Sequence, residues 1–435
     1  MKDMMDYIGI KSIHELFDGL PSEIRIEGLD LPPPKSDMEV EMGIKKILEK
    51  NVSFFRTPFF LPIIKPHYIP PVVDEILSRQ EFYTSYTPYQ PEASQGMLQA
   101  MFEYQSVIAE LTDMDVANVS MYDSATALGE AALMAHRINK KGKIVIPRNL
   151  FWHKKSVLAN YVKGAGMEIV EMDYGGDGRM VLDFVEEDVS AIYIENPNFF
   201  GILEDRYHEI EEMKERMDAI LIAGVDPLSL AIFNPPSHYG ADIVIGEGYL
   251  GNSMNFGGPL LGIFACRKEF VRQMPGKIVG ATTDSNGKRA FCMTLQTREQ
   301  HIRRGRATSN IGSNQALCCI AFLAYVASMG RNGLRRVALE NMKNASYMKS
   351  QLEKIGFSPA FNGKFFNEFT LIAPMEGGKI NRKLLSHGVY GGLPIDEFIR
   401  NGMIFGVTEM HTKEIMDEAV ERIKMVMEEQ DDGKI

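Results

Sequence analysis

The nine-residue segment AILIAGVDP, residues 219–227, decides the fold of this chain. It joins a short apolar run to Asp226, a carboxylate that stands where the run ends. Helix-like segments alternate with this run and with comparable apolar runs at residues 144–146, 191–194, 242–245 and 260–265. Continuous apolar strands separated by helices predict an α/β fold, in which a largely parallel sheet is covered on both faces. Asp226 has two interpretations: it serves a ligand at the strand end, or it belongs to a turn before Pro227.

Around this centre the sequence predicts three regions. Residues 1–70 are predicted to form an arm of short helices, in which the prolines of the LPPP connector at 31–34 forbid helix. Residues 71–328 are predicted to form the large domain, and residues 329–435 a small C-terminal α+β domain. A chain of 435 residues is too long for one compact core, which favours such a division. The longest apolar run, residues 316–327, is too short to cross a bilayer and predicts a core helix.

The composition argues against several classes of function. A formal net charge of −11 opposes general binding to nucleic acids, whose phosphates would be repelled. The acidic N-terminal segment lacks the apolar core of a signal peptide, and no membrane association is predicted. The histidines are dispersed, so no metal site is predicted. The four cysteines contain no CxxC pair, which favours reduced thiols in a cytoplasmic protein; they are Cys266, Cys292, Cys318 and Cys319.

A cationic run, QTREQHIRRGRATSNI at residues 296–311, contrasts with the acidic chain. Its basic side chains, with Glu299 as the only acid among them, are Arg298, His301, Arg303, Arg304 and Arg306. Such a run favours an anion-binding surface, and an ordinary solvated helix is the alternative. Small polar residues end the run before the apolar segment, which predicts a capped helix start whose N–H groups are also available to an anion; they are Thr308, Ser309 and Asn310.

Three further segments are candidate ligand-binding elements. EFYTSYTPYQPEASQG, residues 81–96, is rich in tyrosine and stiffened by proline, which is typical of a pocket wall; a surface loop is the alternative. Ser124 and Thr126 begin an alanine-rich helix, where phosphate binding and simple capping explain them equally well. The GxGxxG of residues 246–251 is followed by NFGGP and not by a helix. It therefore predicts a glycine-rich turn rather than a dinucleotide site.

Long motifs in these segments resemble one enzyme family. The motifs are YTPYQPEASQG (86–96), FEYQSVIAELTDMDVANVSMYDSATAL (102–128), FGGPLLG (256–262), RQMPGKIVG (272–280) and LQTREQHIRRGRATSNI (295–311). In content and order they are similar to the N-terminal subunit of two-subunit glycine decarboxylases, the P-proteins of the glycine cleavage system. The resemblance covers nearly the whole chain. It implies the fold of type I pyridoxal-phosphate (PLP) enzymes, an aspartate aminotransferase-like large domain followed by a small C-terminal α+β domain.

The resemblance makes the lysines of the chain informative. An enzyme of this fold holds PLP through a lysine that follows the strand after the cofactor-facing aspartate. If Asp226 matches that aspartate, the lysine belongs near residues 246–253. The chain has no lysine between Lys214 and Lys268, and no other side chain can form the Schiff base. We therefore expect a subunit that carries no PLP and is inactive alone.

The resemblance also implies partners. A C-terminal-type subunit would carry PLP and its lysine, decarboxylate glycine and pass the aminomethyl group to the lipoyl group of H-protein. A functional link to the T- and L-proteins of the same system is implied as well. This chain would supply the opposite wall of the active site at the subunit interface. It would itself keep a vestigial cofactor cup.

The expected site residues fall into three groups. Those expected to line the partner's active site are Tyr86, Thr87, Tyr89, Gln90, Glu92, Ser94, Arg298, His301 and Arg304. Those expected to reach the phosphate of the partner's cofactor are Thr308, Ser309 and Asn310. Those expected to form the vestigial cofactor cup are Ser124, Thr126 and Asp226. For each arginine, a salt bridge within the chain is the alternative.

Two other functions stay open at this point. A stand-alone PLP enzyme, such as an aminotransferase or a lyase, is opposed by the missing lysine. A purely structural or regulatory partner of the PLP subunit, without contact to the substrate, is the second. The tyrosine-rich loop distinguishes the structural function from an active-site function. Only if the loop lines the active site are its side chains required for glycine decarboxylation.

Overall fold

The computed structural model describes residues 1–26, 28–84, 87–312 and 315–429. By compactness the chain divides into two units, residues 1–53 and residues 54–435. The described residues of the first unit form two α-helices, α1 (Lys2–Ile8) and α2 (Asp37–Leu48), and none of them is buried. A capping box between Ser36 and Glu39 starts α2. The three-region division at residues 70 and 328 stays a prediction.

The second unit holds the remaining helices and all strands of the described chain. Its helices are α3 (Pro71–Leu77), α4 (Gln80–Tyr83), α5 (Gln95–Thr112), α6 (Ser124–Asn139), α7 (Trp152–Ala165), α8 (Tyr207–Met217), α9 (Gln300–Arg303), α10 (Ala316–Lys354), α11 (Gly377–Ser386) and α12 (Lys413–Glu428). Its strands are β1 (Val116–Ala117), β2 (Lys143–Pro147), β3 (Glu168–Met172), β4 (Val189–Asn196), β5 (Ile220–Val225), β6 (Ile243–Glu247), β7 (Gly262–Cys266), β8 (Ile278–Thr283), β9 (Arg289–Thr294), β10 (Ser358–Pro359), β11 (Glu368–Ile372), β12 (Leu393–Pro394) and β13 (Gly402–Gly406).

The described residues form a seven-stranded sheet in the order β1-β7-β6-β5-β4-β2-β3. The five strands from β6 to β3 run parallel, whereas β7 is antiparallel to β6 and to β1. Each of the five apolar runs overlaps a strand of this sheet, so the α/β prediction is confirmed. Strand β3 was missed because its sequence, EIVEM, carries two glutamates and resembles a surface segment.

The antiparallel direction of β7 follows from the glycine-rich turn after β6. No helix opens there, as the sequence predicted, so the chain returns directly into β7. Gly251 lies in this turn with φ +75°, and a Cβ on it would come within 2.3 Å of the Ala321 carbonyl oxygen. Only glycine fits this backbone conformation and this close approach. The glycines of the motif therefore serve the turn and the packing of α10.

Both faces of the large sheet are covered by helices. Successive residues of a strand point to opposite faces, so each strand contributes to both cores. Leu221 and Ala223 of β5 pack in a core with the side chains of α5 and α10. Ile220 and Ile222 pack in a second core with the side chains of α6 and α7. Each fully buried leucine or isoleucine contributes about 1.5–3 kcal/mol. The sheet is therefore held between two helical layers.

A smaller antiparallel sheet in the order β10-β11-β13-β12 follows in the described C-terminal region. Its buried Phe369 and Phe405 stack with ring centroids 5.7 Å apart and pack against α11, α12 and the end of α10. This region has the α+β organisation expected from the sequence.

Helix α10 connects the two sheets and changes direction at Gly330, which has φ +59° and ψ +179°. In the described chain it is the one helix whose length and composition would allow it to cross a membrane. The part before Gly330 spans about 21 Å, less than the ~30 Å of a bilayer core. It also buries Cys319, Phe322 and Tyr325 against the large sheet. These contacts are those of a core helix, as predicted.

Replacing Gly330 by alanine should lower the free energy of unfolding by about 1–3 kcal/mol, because its backbone conformation is open to glycine alone. A new Cβ would meet no atom within 4 Å, so the loss would come from the backbone and not from a clash. Urea unfolding followed by circular dichroism measures the change.

The matched control is Gly164→Ala in α7, where a Cβ also meets no atom within 4 Å. Because Gly164 is helical, this change should raise stability by about 0.5–1 kcal/mol. A Gly330→Ala variant as stable as the unaltered chain would contradict the assignment of backbone strain.

Candidate functional site

The carboxyl ends of β5 and β6 form the sheet edge at which open α/β folds bind ligands. Asp226 follows β5 at this edge. Its Oδ1 accepts hydrogen bonds from the Leu228 N–H at 2.9 Å and from the Tyr249 hydroxyl at 2.6 Å. Its Oδ2 lies 3.4 Å from the Nζ of Lys65. The bond from Leu228 is the turn chemistry that the sequence suggested, whereas Tyr249 and Lys65 were not predicted.

Lys65 lies between two carboxylates. Its Nζ is 2.8 Å from the Oε1 of Glu368 in β11 and 3.1 Å from the Oδ1 of Asn367. The Lys65 side chain is 6% exposed. Burial lowers the pKa of Lys65, but the nearby charges of Glu368 and Asp226 outweigh burial and raise the pKa. Lys65 is therefore a charged link between the edge of the large sheet and the C-terminal region.

Glu409 collects three donors beside this link. It accepts hydrogen bonds from the Asn341 amide at 2.7 Å and from the Tyr68 N–H at 2.8 Å, and it lies 3.0 Å from the Nδ1 of His67. The His67 ring stacks on Tyr249 with centroids 4.6 Å apart. Burial raises the pKa of Glu409, but the hydrogen bond and charge of His67, with the other donors, outweigh it and lower the pKa to about 2.

The first turn of α6 is capped by carboxylates. The Oδ1 of Asp123 accepts the Thr126 N–H at 2.6 Å. The Ser124 N–H donates to the Oε2 of Glu247 at 3.0 Å, and the Leu261 N–H donates to its Oε1 at 3.1 Å. Burial raises the pKa of Glu247 to about 7, although these donors act to lower it. The α6 N–H groups that the sequence offered to a phosphate thus donate to acids of this chain.

A second group, the wall cluster, joins the tyrosine-rich loop to the cationic run; it consists of Tyr89, Lys277, Arg298, Glu299 and His301. The Nζ of Lys277 donates to the Tyr89 hydroxyl at 3.1 Å and to the Oε2 of Glu299 at 3.0 Å. His301 contacts the Tyr89 ring with centroids 5.7 Å apart. Burial lowers the pKa of Lys277, but its bonds to Tyr89 and Glu299 outweigh burial and raise the pKa. Lys277, which the sequence did not single out, brings the two predicted segments together.

The cationic run is divided between inward and outward side chains. Arg298 is buried, and its guanidinium donates to the carbonyls of Met274 and Gly276 in the turn before β8. Its role within this chain is therefore to brace that turn. The exposed cationic or titratable residues of the run are His301, Arg303, Arg304 and Arg306.

The helix start predicted at residues 308–310 is wrong. Helix α10 begins only at Ala316. The Thr308 N–H donates instead to the Arg298 carbonyl at 3.0 Å, and the Ser309 hydroxyl accepts the N–H two residues later at 3.0 Å. Such local bonds compete with helix formation and hold an irregular turn. The turn begins seven positions after His301, the last residue of the wall cluster in the chain.

The other predicted wall residues differ in exposure, and one cannot be placed. Gln90, Glu92 and Asn310 are exposed, whereas Thr87 and Ser94 are half-buried. Tyr86 lies outside the described residues. The loop is anchored by Gln95, whose amide exchanges two hydrogen bonds with the Phe291 backbone of β9, at 2.8 and 2.9 Å.

Sequence reasoning missed several contact-making residues for two reasons. Glu247 and Tyr249 lie inside the glycine-rich turn, which was interpreted from its glycines alone. Lys65 is 161 positions from Asp226, and Lys277 is 188 positions from Tyr89. No local pattern marks such distant pairs. Among the described residues, no group of three His, Cys, Asp or Glu side chains is placed to hold a metal ion.

Comparison with known proteins identifies the relatives of this chain. Residues 1–423 match the family described as glycine cleavage system P-protein. The probable glycine dehydrogenase (decarboxylating) subunit 1 of Sulfurisphaera tokodaii is 44% identical, covering 98% of this chain and 97% of that protein. The corresponding Saccharolobus islandicus protein is 46% identical, covering 97% and 95%.

Solved structures show the same relationship. A crystal structure of glycine decarboxylase (P-protein) of the glycine cleavage system, in inhibitor-bound form, superposes with a TM-score of 0.92. It is 39% identical, covering 98% of this chain and 97% of that one. An alanine–glyoxylate aminotransferase from Nostoc sp., 15% identical over 93% and 98% of the two chains, shares the fold with a TM-score of 0.59. The predicted fold type I architecture is thereby confirmed.

Glu409 should make the stability of the chain depend on acid pH. Its folded pKa of about 2 lies below the ordinary value of 4.5, so its contribution is complete above 4.5 and is lost as the pH falls towards 2. That contribution is about 3 kcal/mol. The stability advantage of the unaltered chain over Glu409→Gln, measured by urea unfolding, should shrink by this amount over that range.

The control is Glu421→Gln, which changes an exposed glutamate of α12. Its stability should follow that of the unaltered chain at every pH. Parallel pH profiles for the unaltered chain and Glu409→Gln would show that Glu409 gains nothing from its contacts.

Proposed function

Because the chain belongs to the family of glycine cleavage system P-proteins, we propose that it is the glycine decarboxylase subunit that carries no PLP. In this proposal it completes the active site of a PLP-carrying partner subunit. The partner decarboxylates glycine and transfers the aminomethyl group to the lipoyl group of H-protein. The chain alone is inactive.

One observation carries this proposal. The match to the P-protein family is nearly complete in length, yet no lysine follows β6 before Lys268. Without that amine the chain cannot form the covalent link to PLP that this fold uses. The partnered state of Asp226 and of the Ser124 N–H supports the same conclusion, since neither group awaits a cofactor. A family member that lacks the Schiff-base lysine requires a partner subunit that has it.

The wall cluster is the surface that we assign to the partner's active site. Tyr89 is 47% exposed, its hydroxyl accepts a hydrogen bond from Lys277 and its ring lies against His301, so the side chain is held in place while part of it stays accessible. Together with Tyr86, Gln90 and Glu92, it lines the glycine pocket or the path of the lipoyl arm. The exposed arginines beside it attract anionic groups, including those of H-protein.

The irregular turn after the cluster is assigned to the phosphate of the partner's cofactor. Thr308 and Ser309 are half-buried, and the backbone bonds of the turn fix their positions. The bond from Thr308 to the Arg298 carbonyl ties this turn to the wall cluster. Fixed hydroxyl groups next to exposed arginines form a suitable surface for a phosphate dianion.

The remaining parts of the proposal concern the cellular setting. The heterodimer works with the T- and L-proteins of the same system, and the protein is cytoplasmic. The four cysteines form no disulfide, which suits a reducing compartment; they are Cys266, Cys292, Cys318 and Cys319.

A second candidate function is a purely structural partner. The observation that favours it is the inward use of the same residues: Arg298 binds backbone carbonyls, and the Tyr89 hydroxyl accepts from Lys277. In this alternative the cluster stabilises the loop and never meets the substrate. Kinetics of the reconstituted complex separate the two functions.

Glycine/bicarbonate exchange should appear only when this chain is co-expressed with its C-terminal-type subunit. The chain alone should show no PLP absorbance band that borohydride traps. Co-purification and exchange rates of each subunit and of the pair measure this. Exchange by the isolated chain would contradict the proposal.

In the reconstituted pair, Tyr89→Phe and Thr308→Ala should each lower kcat/KM for glycine about ten- to a hundredfold, the equivalent of one charge-assisted hydrogen bond. The control is Tyr7→Phe, which removes the hydroxyl of a tyrosine in α1 that is 93% exposed. Its kinetics should match the unaltered pair. Unchanged kinetics in Tyr89→Phe and Thr308→Ala, with the complex intact, would favour the structural alternative.

A further inference from the structure

Residues 63–68, with the sequence IIKPHY, lie at the carboxyl edge of the large sheet, and we name them the plug segment. They do not belong to a helix or a strand. Their contacts reach the edge of the large sheet on one side and the C-terminal region on the other. The vestigial cofactor cup lies at the same edge, because Asp226 follows β5 and Ser124 begins α6.

The plug segment is fixed to the C-terminal region by its backbone. The Ile63 N–H donates to the Oε1 of Glu368 at 2.7 Å, and the Tyr68 N–H donates to Glu409 at 2.8 Å. The Pro66 carbonyl accepts the hydroxyl of Thr408 at 2.6 Å. These bonds hold both ends and the middle of the segment in place.

The backbone of Ile63 shows that this placement is imposed by its contacts. Its φ is +67°, a conformation that a β-branched residue avoids. Strain of this kind costs about 1–3 kcal/mol and persists only where surrounding contacts fix it. The plug segment is therefore held at the sheet edge against a local preference.

The side chains of the plug segment partner the aspartate end of the cup. Lys65 lies 3.4 Å from Asp226, and His67 stacks on Tyr249, whose hydroxyl donates to the same aspartate at 2.6 Å. The carboxylate thereby has a charged partner and a hydroxyl partner from within the chain. A cofactor ring that sought this aspartate would have to displace both.

The helix end of the cup is partnered as well. The Ser124 N–H donates to Glu247, and the Thr126 N–H donates to Asp123, at 3.0 and 2.6 Å. A helix N-terminus attracts anions, and here the carboxyl groups of Glu247 and Asp123 already accept its N–H groups. A phosphate would have to displace both side chains from these N–H groups and would lie close to the charge of Asp123, where like charges repel.

We propose that the plug segment and Glu247 are resident occupants of the cup, which hold it closed to phosphate-bearing ligands, PLP included. The residues of the cup do not fit the cofactor for two independent reasons. The aspartate is already neutralised by Lys65, and the helix N-terminus is already occupied by acids. The missing lysine alone would forbid a covalent bond but would still leave room for non-covalent binding. The plug segment and Glu247 prevent this non-covalent binding as well.

The first test is binding to the isolated full-length chain. Pyridoxine 5′-phosphate is the probe, because it has no aldehyde and cannot react with surface lysines. Isothermal titration calorimetry should detect no saturable binding with a Kd below about 1 mM. Inorganic phosphate should behave in the same way. Saturable binding of the probe with a Kd below about 1 mM would overturn the proposal.

The second test asks whether Lys65 is a neutralising occupant. Lys65→Met leaves Asp226 and Glu368 without their shared cation and should lower the thermal midpoint by about 5 °C or more. The matched control is Lys343→Met, since Lys343 forms an ion pair with Glu340 but is 73% exposed. The control should shift the midpoint by about 1 °C or less. A Lys65→Met midpoint equal to the control would overturn the proposal.

A neutralised variant keeps the test decisive if Lys65→Met does not fold. Lys65→Met/Asp226→Asn/Glu368→Gln removes the cation together with both acids. It should fold and should recover most of the lost thermal midpoint, because no uncompensated charge remains. A triple variant no more stable than Lys65→Met would show that charge compensation is not what Lys65 supplies. Neither test needs the partner subunit or glycine turnover. If the cup bound the probe, the chain would still lack a lysine between Lys214 and Lys268 for the Schiff base, and the exchange assay would test the proposed function separately.

Discussion

The buried cation of Lys65 between Asp226 and Glu368 is the interaction on which the organisation of this chain depends. It places a positive charge at the sheet edge where α/β folds bind ligands, and it ties that edge to β11. Removing one member of a buried ion group costs more than the group contributes, because the remaining charge is stranded. The arrangement therefore keeps its three members together. It also gives Asp226 a cationic partner from the same chain, which cannot leave as a bound ligand can.

Two sites of the molecule differ in how their charged groups are paired: the vestigial cofactor cup and the wall cluster. At the cup, acids and bases satisfy one another, so the site is closed. At the wall cluster, Lys277 donates a hydrogen bond to the Tyr89 hydroxyl. The exposed arginines of the neighbouring cationic run form no ion pair among the described residues. A closed cup and an open, cationic wall are what a subunit needs if it supports a neighbour's chemistry.

Much of the fold could be predicted because it rests on local patterns. Apolar runs marked five strands of the large sheet, and the residues after β6 predicted a turn rather than a helix. Strand β3 escaped because solvent-facing glutamates masked its pattern. The helix start at residues 308–310 was wrong because serine and threonine also bind nearby backbone in irregular turns, and the sequence does not choose between these uses.

The candidate site was predicted in part. Tyr89, Arg298 and His301 were named from two separate segments, and the structure brings them together. The group that joins them, Lys277, carried no local signal, and the orientation of Arg298 towards backbone carbonyls was equally invisible. Asp226 was named from its place after a strand, but its partner in the plug segment was not.

The sequence by itself determined that no lysine lies between Lys214 and Lys268, the interval in which this fold carries its Schiff-base lysine. It also determined five strands of the large sheet and the family, because both depend on contiguous residues. The tertiary structure alone decided which charges neutralise one another, since Lys65 meets Asp226 across 161 positions of chain. Ion pairs depend on distance in space and on burial, and neither quantity exists until the chain has folded.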